Sequence, residues 1–131
     1  MVTQDFPPAT GGIQTYAAEL ATRFHRSEEA FVVVAPGTDG CADWDAQAPY
    51  RVIRVGRSTD AVPVSAIPTV ARLGREGFDT VFHTQWQTVM ATVSARRLGG
   101  PRRLFLAAHG RELLLRPIER VAAIQGVYDG L

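Results

Sequence analysis

The chain has 131 residues, 46 % of them apolar and 21 % charged, which fits one globular domain with a real core. A net charge of +1 excludes a broad electrostatic pull toward nucleic acid, and with no lysine among its 14 basic residues the chain has no lysine-based Schiff-base chemistry. Cys41 is the single cysteine, so no internal disulfide or cysteine metal cluster forms, and no apolar run approaches the roughly 18 residues of a membrane span. With no basic-then-apolar leader pattern either, the expectation is a cytoplasmic protein, with peripheral membrane association left open.

The first informative stretch is Phe6-Pro7-Pro8-Ala9-Thr10-Gly11-Gly12-Ile13. Two prolines stiffen its approach, and a glycine pair stands directly before an amphipathic helix predicted from about Gly12 to His25. Ile13, Tyr16, Ala17, Leu20, Ala21 and Phe24 recur there at the three- and four-residue spacing of one buried stripe. The helix N-terminus offers unpaired N–H groups, a natural seat for an anion such as phosphate. Ala30 to Ala35 reads as a strand covered on both faces, and Pro36 to Pro49, polar and rich in Gly and Asp, as a surface loop.

Tyr50 to Val55 alternates and predicts a strand nearer the sheet edge. A helix is expected between about Ser65 and Glu76, with Pro68 in its first turn. A strand over Asp79 to His83, a helix over Trp86 to Leu98 and a strand over Arg103 to His109 follow. Pro117 opens a last helix through Gln125. This alternation predicts an α/β fold: a Rossmann-like, doubly wound, mostly parallel sheet with helices on both faces. Only Met1 to Gln4 precede the glycine loop, so the first strand, expected at the centre, is a stub; Val127 to Leu131 supply no strand after the last helix. The expectation is a domain cut at both ends.

FPPATGGI, the helix after it, the FDTVFHTQW strand end and LAAHGREL together resemble the N-terminal domain of family 4 glycosyltransferases, retaining enzymes of the GT-B architecture. The resemblance spans nearly the whole chain in the expected order. It implies the acceptor-side half of a two-domain enzyme, with a nucleotide-sugar as co-substrate, a hydroxyl-bearing acceptor and no metal or other cofactor. Gly11 and Gly12 would approach the donor diphosphate, and His109 would lie at the reacting centre as the catalytic residue. The chain departs from the family in lacking the donor-binding domain with its paired glutamates; Glu112 and Glu119 are one residue too close to be that pair. The chain alone is therefore expected to be inactive, needing the missing domain in cis or on a partner subunit.

The residues themselves fit those roles. Fixed donors that stabilise charge growing on a leaving diphosphate are usually the largest catalytic contribution, and backbone N–H groups at Gly11, Gly12 and Ile13 supply such donors. His109 closes a strand, where open α/β sheets place ligands. Glu112 either orients His109, binds an acceptor hydroxyl or caps the next segment; Arg111 would meet an anionic acceptor or stay a solvated charge. His83, Gln85 and Trp86 form the expected acceptor or sugar cluster, with an indole face to cover a sugar ring. Trp86 is equally in phase with Val89, Met90 and Val93 for a place in the core. The alternative function is a non-catalytic sugar-binding or interaction domain that docks on a donor-binding subunit, or a swapped dimer. A nicotinamide-binding domain fits less well, because the third glycine is lacking and Ala35-Pro36 stands where an acidic residue should close the second strand.

Overall fold

The computed structural model describes residues 1–28 and 30–107. Its elements alternate as the patterning predicts: α1 (Gly12–Ser27), β1 (Val32–Pro36), α2 (Cys41–Asp45), β2 (Arg51–Val55), α3 (Val62–Ser65), α4 (Ile67–Arg75), β3 (Thr80–His83), α5 (Val89–Arg96) and β4 (Arg103–Leu106). β1 pairs with β2 and β3 with β4, both parallel, with Val33 opposite Val52 and Val81 opposite Leu104.

The opening segment joins these two pairs. Val2 bridges Val34 on one side and His83 on the other, both in parallel sense. Its N–H donates to Phe82 O at 2.8 Å, while Thr3 N–H donates to Val34 O at 3.0 Å and Val34 N–H to Met1 O at 2.8 Å. The order is therefore β2, β1, Met1–Gln4, β3, β4, and the short first segment does occupy the centre.

Side-chain alternation along the strands sends successive residues to opposite faces. Val33, Ala35 and Phe6 pack with Ala17 and Ala21 of α1, whereas Val32, Val34 and Val81 pack with Val70, Ala71 and Ala95 of α4 and α5. All five residues of β1 are buried, as expected of a strand covered on both faces, while β2 begins exposed at the edge. This is an α/β arrangement of short parallel strands and helices, compatible with a Rossmann-like fold.

Four details differ from expectation. Of the α1 stripe only Ala17 and Ala21 are buried, Leu20 and Phe24 are half-buried, and Ile13 and Tyr16 are 41 % and 40 % exposed. The presumed loop after β1 contains α2, entered through Gly40 at φ 75° and held by Trp44 and Asp45. The helix expected from about Ser65 to Glu76 is α4, but a further short helix, α3, precedes it, and each carries a proline in its first turn, where a missing N–H costs no helical bond. Trp86–Thr88 form a 3-10 turn before α5 begins. The predicted helix over Pro117–Gln125 lies outside the described residues, as does the end of the strand predicted to reach His109.

Candidate functional site

The C-terminal ends of β1, β3 and the opening segment fall on one edge of the sheet, the edge where open parallel sheets bind ligands. The glycine loop runs across it and is held at three successive residues. Asp5 accepts from Gln85 Nε2 at 2.7 Å and from Gln14 Nε2, on the first turn of α1, at 3.0 Å. Phe6 is fully buried, edge-on to Trp44 of α2 with ring centroids 5.1 Å apart. The carbonyl of Pro7 accepts from Arg54 Nη2 at 2.7 Å.

Arg54 is the hub of this anchoring. Beyond Pro7 it donates to Pro36 O at the end of β1 at 2.9 Å and pairs with Asp45 of α2 at 2.6 Å. Its guanidinium also stands over the Phe6 ring, 5.5 Å from the centroid. One planar fork thus ties the loop, two strands and a helix together, a geometry lysine cannot copy. The loop is therefore held in place by the chain's own contacts.

Gly11 is the N-cap of α1, with no side-chain cap and no acidic residue in the first turn. The N–H groups of Gly12, Ile13 and Gln14 thus lack helical acceptors and carry the positive end of the helix dipole. A Cβ at Gly12 would meet nothing within 4 Å, whereas one at Gly11 would run into the Gln14 side-chain amide. The glycine at position 12 therefore keeps space open that the fold itself does not use.

The cluster after β3 is of another kind. His83 is fully buried, and its ring nitrogens lie 2.7 Å from Thr88 Oγ1 and 2.9 Å from Thr92 Oγ1. Thr88 already donates its single hydroxyl proton to Gln85 O at 2.7 Å, so its oxygen must accept from His83 Nδ1–H. The imidazole is then the Nδ1–H tautomer, and Nε2 accepts from Thr92. Burial, and secondarily the charge of the chain's N-terminus, lowers its pKa to about 3. That amine is itself buried and lowered to about 5, leaving burial as the cause that counts at neutral pH.

Gln85 is equally committed. Its Oε1 accepts from Gln4 N–H at 3.0 Å and its Nε2 donates to Asp5, whose carboxyl burial pushes above the usual range despite that bond. His83 and Gln85, expected to contact a sugar, are both buried, and their polar atoms are hydrogen-bonded within the chain. They brace the edge instead. Trp86 is partly exposed beside them. The structure does bring the glycine loop and the β3 end together, through the relay Gln14–Asp5–Gln85. His109, Arg111 and Glu112 lie outside the described residues.

Asp5 and Arg54 were missed by sequence reasoning. Nothing in the neighbourhood of Arg54 distinguishes it from Arg51, but Thr88 and Thr92 stand four apart, a spacing that places both on one helix face against His83. Among the described residues, Thr38 Oγ1 and Gln87 Oε1 are buried without a hydrogen-bond partner; they follow β1 and β3 at this same edge.

No family model matches the chain. It is similar to the GDP-mannose-dependent alpha-(1-6)-phosphatidylinositol monomannoside mannosyltransferase of Mycobacterium tuberculosis, 31 % identical over 138 aligned positions that take in 99 % of this chain and 35 % of the relative. The enzyme of the same description from Mycolicibacterium smegmatis is 32 % identical over 132 positions, 93 % of this chain and 33 % of the relative. The chain thus spans about a third of the length of these curated relatives, and that match supports a glycosyltransferase fragment. No described helix is long and apolar enough to cross a membrane.

Proposed function

We propose that this chain is the acceptor-side, Rossmann-like domain of a retaining glycosyltransferase of the GT-B architecture, moving a sugar from a nucleotide-diphosphate donor. The single observation that carries the reading is the similarity to mannosyltransferases over 99 % of the chain. The pre-anchored glycine loop at the ligand-binding edge of the sheet supports it. The relatives' description makes GDP-mannose the donor of choice and a phosphatidylinositol-linked mannoside the acceptor.

In this reading the uncapped first turn of α1 faces the donor diphosphate, with Gly11 and Gly12 allowing the backbone to come close. Stabilising the leaving diphosphate by fixed N–H donors requires no divalent metal. His109 works at the reacting centre, and Trp86, Arg111 and Glu112 serve the sugar or acceptor. His83, Gln85, Asp5 and Arg54 hold this edge in place.

The test is a chimaera in which this chain replaces the matching third of the M. smegmatis enzyme, assayed with GDP-mannose and phosphatidylinositol monomannoside. Mannosyl transfer that is abolished by His109→Ala supports the reading. A folded chimaera that binds GDP-mannose yet transfers nothing overturns it.

A further inference from the structure

Gln14 stands apart from its neighbours on the first turn of α1. It is half-buried, while Ile13, Thr15 and Tyr16 around it are exposed. Its Nε2 reaches back nine residues to donate to Asp5 Oδ1 at 3.0 Å. The other carboxylate oxygen accepts from Gln85 Nε2 at 2.7 Å. The Gln85 amide is oriented by Gln4 N–H, which donates to its Oε1 at 3.0 Å and so leaves Nε2 to face Asp5. Thr3 fixes the aspartate's backbone, its hydroxyl donating to Asp5 O at 2.9 Å and accepting from Asp5 N–H at 3.3 Å.

Gly11 admits this arrangement. The Gln14 side chain folds back over it, and its Oε1 and Cδ occupy the space that a Cβ would need. At Gly12 a Cβ would meet nothing within 4 Å. The two glycines therefore differ in what they leave room for: the first for a contact within the chain, the second for open space. Among the described residues no arginine or histidine forms an ion pair with Asp5. Two neutral amides hold its carboxylate, one on each oxygen.

We propose that Gln14 is a positioning residue for the donor: bound to Asp5 through the room left at Gly11, it latches the first turn of α1 to the Asp5–Gln85 pair at the end of β3. The proposal rests on the reading that this turn faces the donor diphosphate. What the latch requires is a hydrogen-bond pattern, an acceptor toward Gln14 and a donor-acceptor match between positions 5 and 85. It does not require the charge to sit at position 5. Gln85→Glu alone sets two carboxylates face to face and breaks the match. Adding Asp5→Asn restores it, because the new carboxamide donates to the new carboxylate while its oxygen still accepts from Gln14 Nε2.

The test measures melting midpoints and kinetics of the chimaera in four forms: unaltered, Gln14→Ala, Gln85→Glu, and Gln85→Glu combined with Asp5→Asn. Gln14→Ala leaves the strands and Gln85 in place, so the midpoint should move little. The KM for GDP-mannose should nevertheless rise about three- to tenfold, more than kcat falls, as expected when a hydrogen bond to a charged group no longer holds the turn. Gln85→Glu should raise the KM at least as much, and the combined variant should return it to within about twofold of the unaltered chimaera. A KM unchanged by Gln14→Ala or by Gln85→Glu overturns the proposal, as does a combined variant that fails to recover it. Each of these leaves the donor reading standing, since the unaltered chimaera still transfers mannose. An unaltered chimaera that binds GDP-mannose and transfers nothing removes that reading, and this proposal with it.

Discussion

His83 shows how a strand-end histidine becomes structure rather than chemistry. Its ordinary pKa near 6.5 falls to about 3 in the fold because burial disfavours the imidazolium. The unfolded chain therefore takes up a proton below pH 6.5 that the folded chain refuses, and stability drops as acid is added, approaching 1.4 kcal/mol per pH unit from this group. The Met1 amine, lowered to about 5, adds a slope of the same sign between pH 8 and 5. His83→Gln removes only the imidazole part, so urea unfolding between pH 6.5 and 5 should lose stability less steeply in the variant. At pH 7.5 the variant should be less stable by about 1–3 kcal/mol, because Thr88 and Thr92 lose matched partners. Parallel pH curves for the two proteins would show that the imidazole is not held neutral. In the sequence, HTQW at a strand end looks like a ligand cluster; only the hydroxyls four residues apart on the following helix reveal that the histidine points inward.

Glycine 12 behaves in the opposite way. Its missing Cβ would touch nothing, so Gly12→Ala should leave folding intact or raise stability by up to about 1 kcal/mol through helix propensity. In the chimaera the same change should raise the KM for GDP-mannose several-fold if the space belongs to the diphosphate. A stable Gly12→Ala chimaera with unchanged kinetics would detach that residue from the donor.

At the scale of elements, the question is what keeps a proline- and glycine-rich segment from wandering. The sequence made the strands and α1 legible through their periodicity, because buried faces repeat. It concealed α2, since five residues carry too little pattern to stand out in a polar stretch, and with it the partners of the loop. Phe6, Trp44 and Arg54 lie far apart in the chain and meet only after β1 and β2 pair. Replacing Arg54 by Met removes bonds to Pro7 O, Pro36 O and Asp45 from a side chain only 12 % exposed. Stability should fall by about 2–4 kcal/mol in urea titrations, and Arg54→Lys should recover only part of it. In the chimaera both variants should raise the KM for GDP-mannose more than they lower kcat, since the bonds they remove hold the glycine loop in position. A change confined to kcat would place Arg54 nearer the chemistry than its contacts do.

For the molecule as a whole, the alternating pattern revealed the parallel sheet, but not that four residues suffice to weld its two halves at the centre. That weld matters because it aligns the ends of β1 and β3 and thereby brings α1's first turn beside Gln85. Charge compensation for a departing diphosphate would then come from the chain's own geometry: uncapped N–H groups at a helix start, no acidic side chain in that turn, and an anchored loop in front of it. A divalent metal would duplicate this provision. In the chimaera, chelation with EDTA should therefore leave the transfer rate within about twofold, whereas Gly12→Val, which pushes a branched side chain into the same space, should lower it at least about a hundredfold, the loss seen when fixed donors are removed from developing charge. The two measurements divide the question cleanly. A rate that collapses on chelation and returns with added magnesium, while Gly12→Val is tolerated, would mean that the diphosphate is held by a cation on the other domain and that the first turn of α1 serves only the fold.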